Sequence, residues 1–249
     1  MPARTLTYFI SDLHLGASYF DDPRAHERMV AQWLLSIAPT ARRLYLVGDV
    51  LDYWYEYRHV VPRGHVRFFG ALASLADSGV EITWMIGNHD IWIYDYLPTE
   101  LGIRVVDGNL TETIDGYTFF ISHGDGLGRI PRGMKLIRSL LRNRLCQRLF
   151  AAIHPRWTVG LAYAWSAHNR RKHHPAVPQA ACTRALTDWL DAQPDDARPD
   201  FYIFGHYHTV MDTPVGTRSR ALIIGDWITR LTYATFDGTT LALHTHTPG

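Results

Sequence analysis

Eight side chains at the ends of short apolar runs carry the chemistry of this sequence. Asp12 and His14 close TYFISDLH, and Asp49 follows RLYLVG. Asn88 and His89 follow EITWMIG, His123 follows YTFFIS, and His206 and His208 follow DFYIFG. Two carboxylates, an amide oxygen and five imidazoles make an oxygen-and-nitrogen donor set without sulfur. Such a set suits Mn²⁺, Fe²⁺ or Zn²⁺ rather than a thiolate-preferring ion. It holds too many ligands for one ion at ordinary coordination. If Asp49 bridges, two ions share the set about 3.5–4 Å apart, with a water between them. Taken singly, Gly-Asp or Gly-Asn is usually a turn, and a lone His at a strand end is more often a satisfied polar group than a ligand. Five such ends in one chain weigh against turn chemistry alone.

The elements that must position these groups read as β-rich runs alternating with helical patterns, roughly Arg24 to Ala38 and His65 to Ser78. That alternation predicts an α/β arrangement with parallel strands. Polar residues at the carboxyl ends of such strands gather along one sheet edge, where ligands bind. Residues i and i+2 of a strand share a face, so Asp12 and His14 are expected to point together, as are His206 and His208. The last third, MDTPVGTRSRALIIGDW, RLTYATFDGTT and LALHTH, reads as strands with Gly-containing turns and suggests a second sheet. His244 and His246 repeat the H-x-H spacing without a Gly turn and are expected on a solvated strand face.

Between these parts, MKLIRSLLRNRLCQRLFAAI and WTVGLAYAWSAHNRRKHH place apolar residues three and four apart. The expected organisation is one domain, 1–249, with a basic helical cap inserted at 131–174 over the carboxyl edge of the sheet. Leu140, Leu141 and Phe150 are expected mainly to pack on the domain. Of the 25 Lys and Arg, 12 fall between Gly126 and Thr187, where there is no Asp or Glu, so 13 face all 24 acids elsewhere. A block so basic in an otherwise acidic chain implies an anionic partner: a phosphate substrate, a nucleic acid or a charged membrane surface. The two cysteines, Cys146 and Cys182, have no C-x-x-C spacing, which argues against a disulfide scaffold and for a reducing compartment. No run approaches a membrane span and MPARTLTYFISDLHLG has no long apolar stretch, so a cytoplasmic location is expected.

In this order D-x-H, GD-x-x-D, GNH-D, HGD and GHxH resemble the calcineurin-like metallophosphoesterase superfamily, over Asp12 to His208. The resemblance implies a four-layer αββα sandwich. It further implies one metal on Asp12, His14, Asp49 and His208 and a second on Asp49, Asn88, His123 and His206, with Mn²⁺ the first expectation. If Asn88 serves a metal, its neighbour His89 on an extended chain points away. His89 is then placed to stabilise the phosphate or protonate the leaving oxygen. Asp52 resembles the acid that orients this His in the superfamily; the competing role is a helix or turn cap.

GDVLDYW, the aromatic string WIYDYLP and HGDGLG resemble more narrowly the UDP-2,3-diacylglucosamine diphosphatases of lipid A synthesis. Members cleave the pyrophosphate of a nucleotide-activated acylated sugar, releasing UMP and an acylated sugar phosphate. Ser166, Asn169, Arg170 and Arg171 resemble the family's nucleotide-binding run, and Asn88 is expected to touch substrate as well. The chain departs from a well-known branch in carrying His89 where that branch has Arg, and GLGRIPRG lacks the acid found there after HGD. The resemblance also implies possible peripheral contact with an anionic membrane at the inner face of the inner membrane. The alternatives are a phosphoesterase for another phosphodiester or nucleic acid, and a non-catalytic scaffold of the same fold. Against nucleic acid, the basic stretch is Leu-rich and amphipathic and matches no recognisable binding module. Oligomeric state is left open by the sequence.

Overall fold

A computed structural model describes residues 4–128, 132–161, 164 and 179–248. The first hundred residues alternate strand and helix: β1 (Leu6–Ile10), α1 (Pro23–Ile37), β2 (Ala41–Val47), α2 (Val66–Asp77), β3 (Glu81–Met85), α3 (Tyr96–Leu101) and β4 (Arg104–Val106). Helix α1 starts where Asp22 accepts hydrogen bonds from the Arg24 and Ala25 N–H groups with Pro23 in the first turn, satisfying donors the helix itself leaves open. On α2 that task falls to Glu27 of α1, whose Oε1 accepts from the N–H groups of Arg67 (2.8 Å) and Phe68 (3.3 Å).

Four parallel strands, β1 to β4, form most of one sheet. Its far edge is completed by β10 (Thr232–Phe236) and β11 (Leu241–Thr245), in the order β11-β10-β1-β2-β3-β4. The second sheet contains β5 (Leu110–Ile114), β6 (Tyr117–Ser122), β7 (Phe201–Phe204), β8 (Val210–Val215) and β9 (Ser219–Ile224), ordered β5-β6-β7-β9-β8. The last third therefore does not make a sheet of its own. β8 and β9 join β6 and β7, whereas β10 pairs antiparallel with β1, Thr7 opposite Phe236, and carries β11 with it. There Phe236 and Ala234 lie on the inner face of the first sheet, with the Phe236 ring against Tyr117, Phe119 and Phe201 of the second.

Strand periodicity accounts for the layers. Tyr8, Ile10, Leu44, Leu46 and Trp84 face Val30, Trp33, Leu34, Phe68 and Leu72 of α1 and α2. The alternate residues Phe9, Tyr45, Val47 and Met85 meet Phe119, Ile121, Ile203 and Leu222 of the other sheet. On its outer face that sheet presents Tyr202, Phe204, Ala221 and Ile223 to Leu186 and Leu190 of α6 (Gln179–Asp191). Central strands buried on both faces read as unbroken apolar runs for this reason. The result is a mixed α/β fold of two sheets between helices.

Between β6 and β7 lie α4 (Arg132–Arg142), α5 (Arg144–Ala151) and helical backbone at 155–161. The aromatic strings fasten them. Trp92 Nε1 donates to the Leu141 carbonyl (2.8 Å), the Tyr55 hydroxyl donates to the Gln147 carbonyl (2.7 Å), and the Phe150 ring lies against Trp92 and Tyr55. Leu141 leans on the main core and Phe150 is half-buried, but Leu140 is 49% exposed, contrary to its expected packing. Leu136, Leu145, Leu149, Trp157 and Leu161 are more exposed still. His244 and His246 are not on a solvated face either: both are half-buried, stacked on Tyr233 and Trp227.

Candidate metal centre

The loops that leave β1, β2, β3, β6 and β7 converge at the carboxyl edge of the two sheets. Strand alternation does not aim their side chains, because β1 ends at Ile10 and β7 at Phe204, before the motif residues begin. Instead Asp12 (φ 55°), His14 (44°), Asp49 (51°), His206 (69°) and His208 (47°) all take the left-handed conformation. Asp and His tolerate that region better than most residues, yet each instance costs about 1–3 kcal/mol and persists only where the surroundings hold it. Here the loops hold one another: Asp12 N–H donates to Gly48 O (3.1 Å), His14 N–H to Asp49 O (3.0 Å), Gly205 N–H to His123 O (3.1 Å) and Trp227 N–H to Asp12 O (3.1 Å). Gly48 (φ 84°) is required twice over, since a Cβ there would meet the His123 ring.

One oxygen of each key carboxylate is tied down and the other is aimed inward. Asp12 Oδ2 accepts from Ser11 Oγ (2.6 Å) and His206 N–H (2.9 Å). Its Oδ1 has no hydrogen-bond partner and lies 3.8 Å from His14 Nε2 and 3.5 Å from His208 Nε2. Asp49 Oδ1 accepts from His89 N–H (2.8 Å), while its Oδ2 stands 3.7 Å from His14 Nε2 and 3.3 Å from His123 Nε2. Candidate ligand atoms within 4.8 Å of one another form the groups Asp12–His14–His208, Asp49–His123–His206 and His14–Asp49–His89. His206 and His208 thus diverge into separate groups rather than sharing a face, because the chain bends between them. Asn88 Oδ1 lies 3.2 Å from His123 Nε2.

Divalent cations fit this arrangement. A carbonyl only accepts, so His123 Nδ1–H donates to Val47 O (2.9 Å); in the neutral ring the Nε2 lone pair then faces the oxygens of Asn88 and Asp49. His14 repeats the pattern, with Nδ1 toward Asp52 Oδ1 (3.2 Å) and a buried Nε2 lacking any hydrogen bond among Asp12 and Asp49. Neutral rings so oriented set lone pairs against carboxylates. Burial opposes a charge on His123, yet Asp49 and Asp12 push its imidazole well above its ordinary value, and either its proton or a metal cation between the groups relieves the repulsion. Among the described residues Asp12 and Asp49, both buried, ion-pair only with imidazoles.

The field of the site follows. Burial pushes the Asp12 carboxyl up, but His208, His14 and His123 hold it well below the usual range; Asp49 is held down likewise against burial by His123, His89 and His14. Burial opposes a charge on His89, yet Asp49 and Asp52 push it up to about 9. His206 is pushed down to about 4 by burial and by His123.

His89 side chain is 24% exposed; its Nδ1 lies 3.0 Å from the Asp52 carbonyl and 3.4 Å from Asp52 Oδ1. Asn88 and His89 turn to different partners although residues 88–90 bend rather than extend. Asp52 therefore touches both His14 and His89. Ser166, Asn169, Arg170 and Arg171 lie outside the described residues. Two further acids, Asp90 within GNH-D and Asp226, had no role assigned from the sequence. Asp90 accepts from Gly87 N–H (2.7 Å), Val50 N–H (3.0 Å) and Trp84 Nε1 (3.2 Å), and burial with the Asp49 charge pushes it up to about 6. Asp226, capping the turn after β9, lies 3.9 Å from His208 Nδ1; the GD at the end of ALIIGDW was its signal.

Several known proteins are similar to this chain. A protein of Porphyromonas gingivalis (strain ATCC BAA-308 / W83) named UDP-2,3-diacylglucosamine hydrolase is 44% identical over 96% of this chain and 97% of its own length. One of the same name from Ralstonia nicotianae is 29% identical over 88% of this chain and 83% of its own. Among solved structures, an uncharacterized Streptococcus pneumoniae TIGR4 protein with a phosphoesterase description aligns at a TM-score of 0.44 and 13% identity, over 100% of this chain and 96% of that one. The family described as calcineurin-like phosphoesterase matches residues 6–210, and the chain belongs to it.

Proposed function

We propose that this chain is a hydrolase of UDP-2,3-diacylglucosamine. Water adds to the phosphorus nearer uridine, the bond from that phosphorus to the pyrophosphate bridging oxygen breaks, and UMP and 2,3-diacylglucosamine 1-phosphate leave. The observation that carries the reading is the near full-length likeness to hydrolases of that name. Opposed lone pairs around Asp49 Oδ2 support a dinuclear centre as its site.

Asp12, His14, Asp49 and His208 would hold one divalent ion, and Asp49, Asn88, His123 and His206 the other. Mn²⁺, Fe²⁺ and Zn²⁺ are all compatible with these donors, and Mn²⁺ is the first expectation from the family resemblance. Such ions supply a water made acidic enough to attack at neutral pH and neutralise charge on the phosphoryl oxygens. His89 gives its proton to the departing oxygen or braces the phosphate, and Asp52 holds His89 and the tautomer of His14. Ser166, Asn169, Arg170 and Arg171 take the nucleotide.

The segment 131–174 acts as a basic cap, receiving the acyl chains and resting on an anionic membrane at the inner face of the inner membrane. Exposed Leu145, Leu149 and Trp157 beside Arg144, Arg148 and Arg156 support that role, apolar surface next to positive charge. Among the described residues no helix is long and apolar enough to cross a membrane.

The test is UMP release from UDP-2,3-diacylglucosamine by Mn²⁺-loaded protein, with Asp49→Ala as control. Release abolished in the variant supports site and substrate together. Hydrolysis of a generic phosphodiester alone leaves the dinuclear site and removes the lipid substrate. Inactivity on both with metals bound turns the reading to a scaffold.

A further inference from the structure

A segment without acids can pair its arginines only with carboxylates elsewhere in the fold, and two of them do so. On α4, Arg142 pairs with Asp107 after β4, and Arg138 pairs with Asp125 after β6. Asp125 stands two residues beyond His123, and its charge acts on both His123 and His206. The Arg138–Asp125 pair is mostly shielded, with side chains 30% and 14% exposed. Gly126 makes room for it: a Cβ there would come 3.0 Å from Arg138 Nη2. Among the described residues, α4 is otherwise held at its carboxyl end, by Trp92 on the Leu141 carbonyl, by Arg142 on Asp107 and by Leu141 against the core, while Leu136, Ile137 and Leu140 are exposed.

We propose that Arg138 and Asp125 form a latch that seats α4 beside the metal loop, making Arg138 a positioning residue for the acylated substrate. The proposal rests on the hydrolase reading above for its substrate. With the latch made, α4 stands at the edge of the centre and the acyl chains meet an ordered surface. Without it, α4 is held from its carboxyl end, by Trp92 and Asp107, and substrate must order the rest of the helix as it binds. A small soluble phosphodiester, which has no chains to seat, does not depend on the latch.

Hydrogen exchange of peptides covering 132–142 in the full-length protein reads the latch without catalysis. Arg138→Gln and Asp125→Asn should each raise exchange there about 5-fold, the double variant no more than either alone, and Arg138→Lys should retain most of the protection. In kinetics, Arg138→Gln should raise KM for UDP-2,3-diacylglucosamine about 5-fold while hydrolysis of bis(p-nitrophenyl) phosphate stays unchanged. Unchanged exchange in both single variants, or additive effects in the double variant, overturns the latch. So does an equal loss on both substrates. If wild type does not cleave the lipid nucleotide, the hydrolase reading fails, and the exchange experiment still judges the pair.

Discussion

Asp52 and His89 lie close together but differ in what their loss should remove. Asp52 accepts from His14, whose other nitrogen faces Asp12 and Asp49, so an amide at 52 weakens the hold on the ring and its tautomer. Asp52→Asn should lower turnover about 10–100-fold and also lower metal content, as substitutions behind metal ligands do. His89, more open and proposed to serve the leaving oxygen, should behave otherwise. His89→Ala should lower turnover about 10²–10⁴-fold, the range of general acid–base catalysis, with both metals retained. Metal analysis of the two purified variants beside their kcat separates the roles, and loss of metals from His89→Ala would remove the one assigned to it.

At the scale of elements, the site depends on loops being held open at defined angles, and Glu56 is where several are joined. This buried carboxylate accepts from the N–H groups of Tyr94 (2.6 Å), Asp95 (2.9 Å) and Tyr96 (3.2 Å) at the start of α3, and from Trp54 Nε1 (3.1 Å). Glu56→Ala strands these donors and should cost about 2–3 kcal/mol. In a chain of this size that lowers Tm by roughly 4–12 °C, readable by calorimetry. The same variant should loosen α4 and α5, because Tyr55 and Trp92, which fasten them, flank the Glu56 junction.

For the molecule as a whole, His26 and His65 are buried, and burial lowers both below their ordinary value near 6.5. The folded state keeps them neutral while the unfolded chain takes up protons. Their contribution is therefore intact above about pH 6.5 and is lost as pH falls from there toward the depressed folded values. Urea denaturation at pH 7.5 and 5.5 should show wild type losing more stability than His65→Asn, a residue that tolerates the φ of 59° at this position. The opposite face of the molecule's chemistry is the exposed apolar row of the inserted helices. Leu145→Ser with Leu149→Ser and Trp157→Ser should release the protein from anionic vesicles in a sedimentation assay, and added salt should weaken wild-type binding in the same direction.

The α/β alternation, the helices α1 and α2 and the positions of eight site residues at the ends of apolar runs were legible in the sequence, because strand period, Gly-X turns and donor chemistry are local properties. Sheet membership was not: LTYATF reads like any edge strand until Phe236 finds its place opposite Thr7. The aim of the site residues was not legible either, since alternation stops at Ile10 and Phe204 and five left-handed residues take over. Those angles are imposed by neighbouring loops from across the chain, which is also why His206 and His208 part and why the partners of Asp90 and Asp226 become visible only in three dimensions. Charge imbalance in the insertion was plain from composition, but which acids answer it, Asp107 and Asp125, was decided by where the strands bring their ends. Local chemistry named the candidate ligands; long-range packing set their directions, because a backbone held off its preferred angles needs the rest of the fold to hold it there.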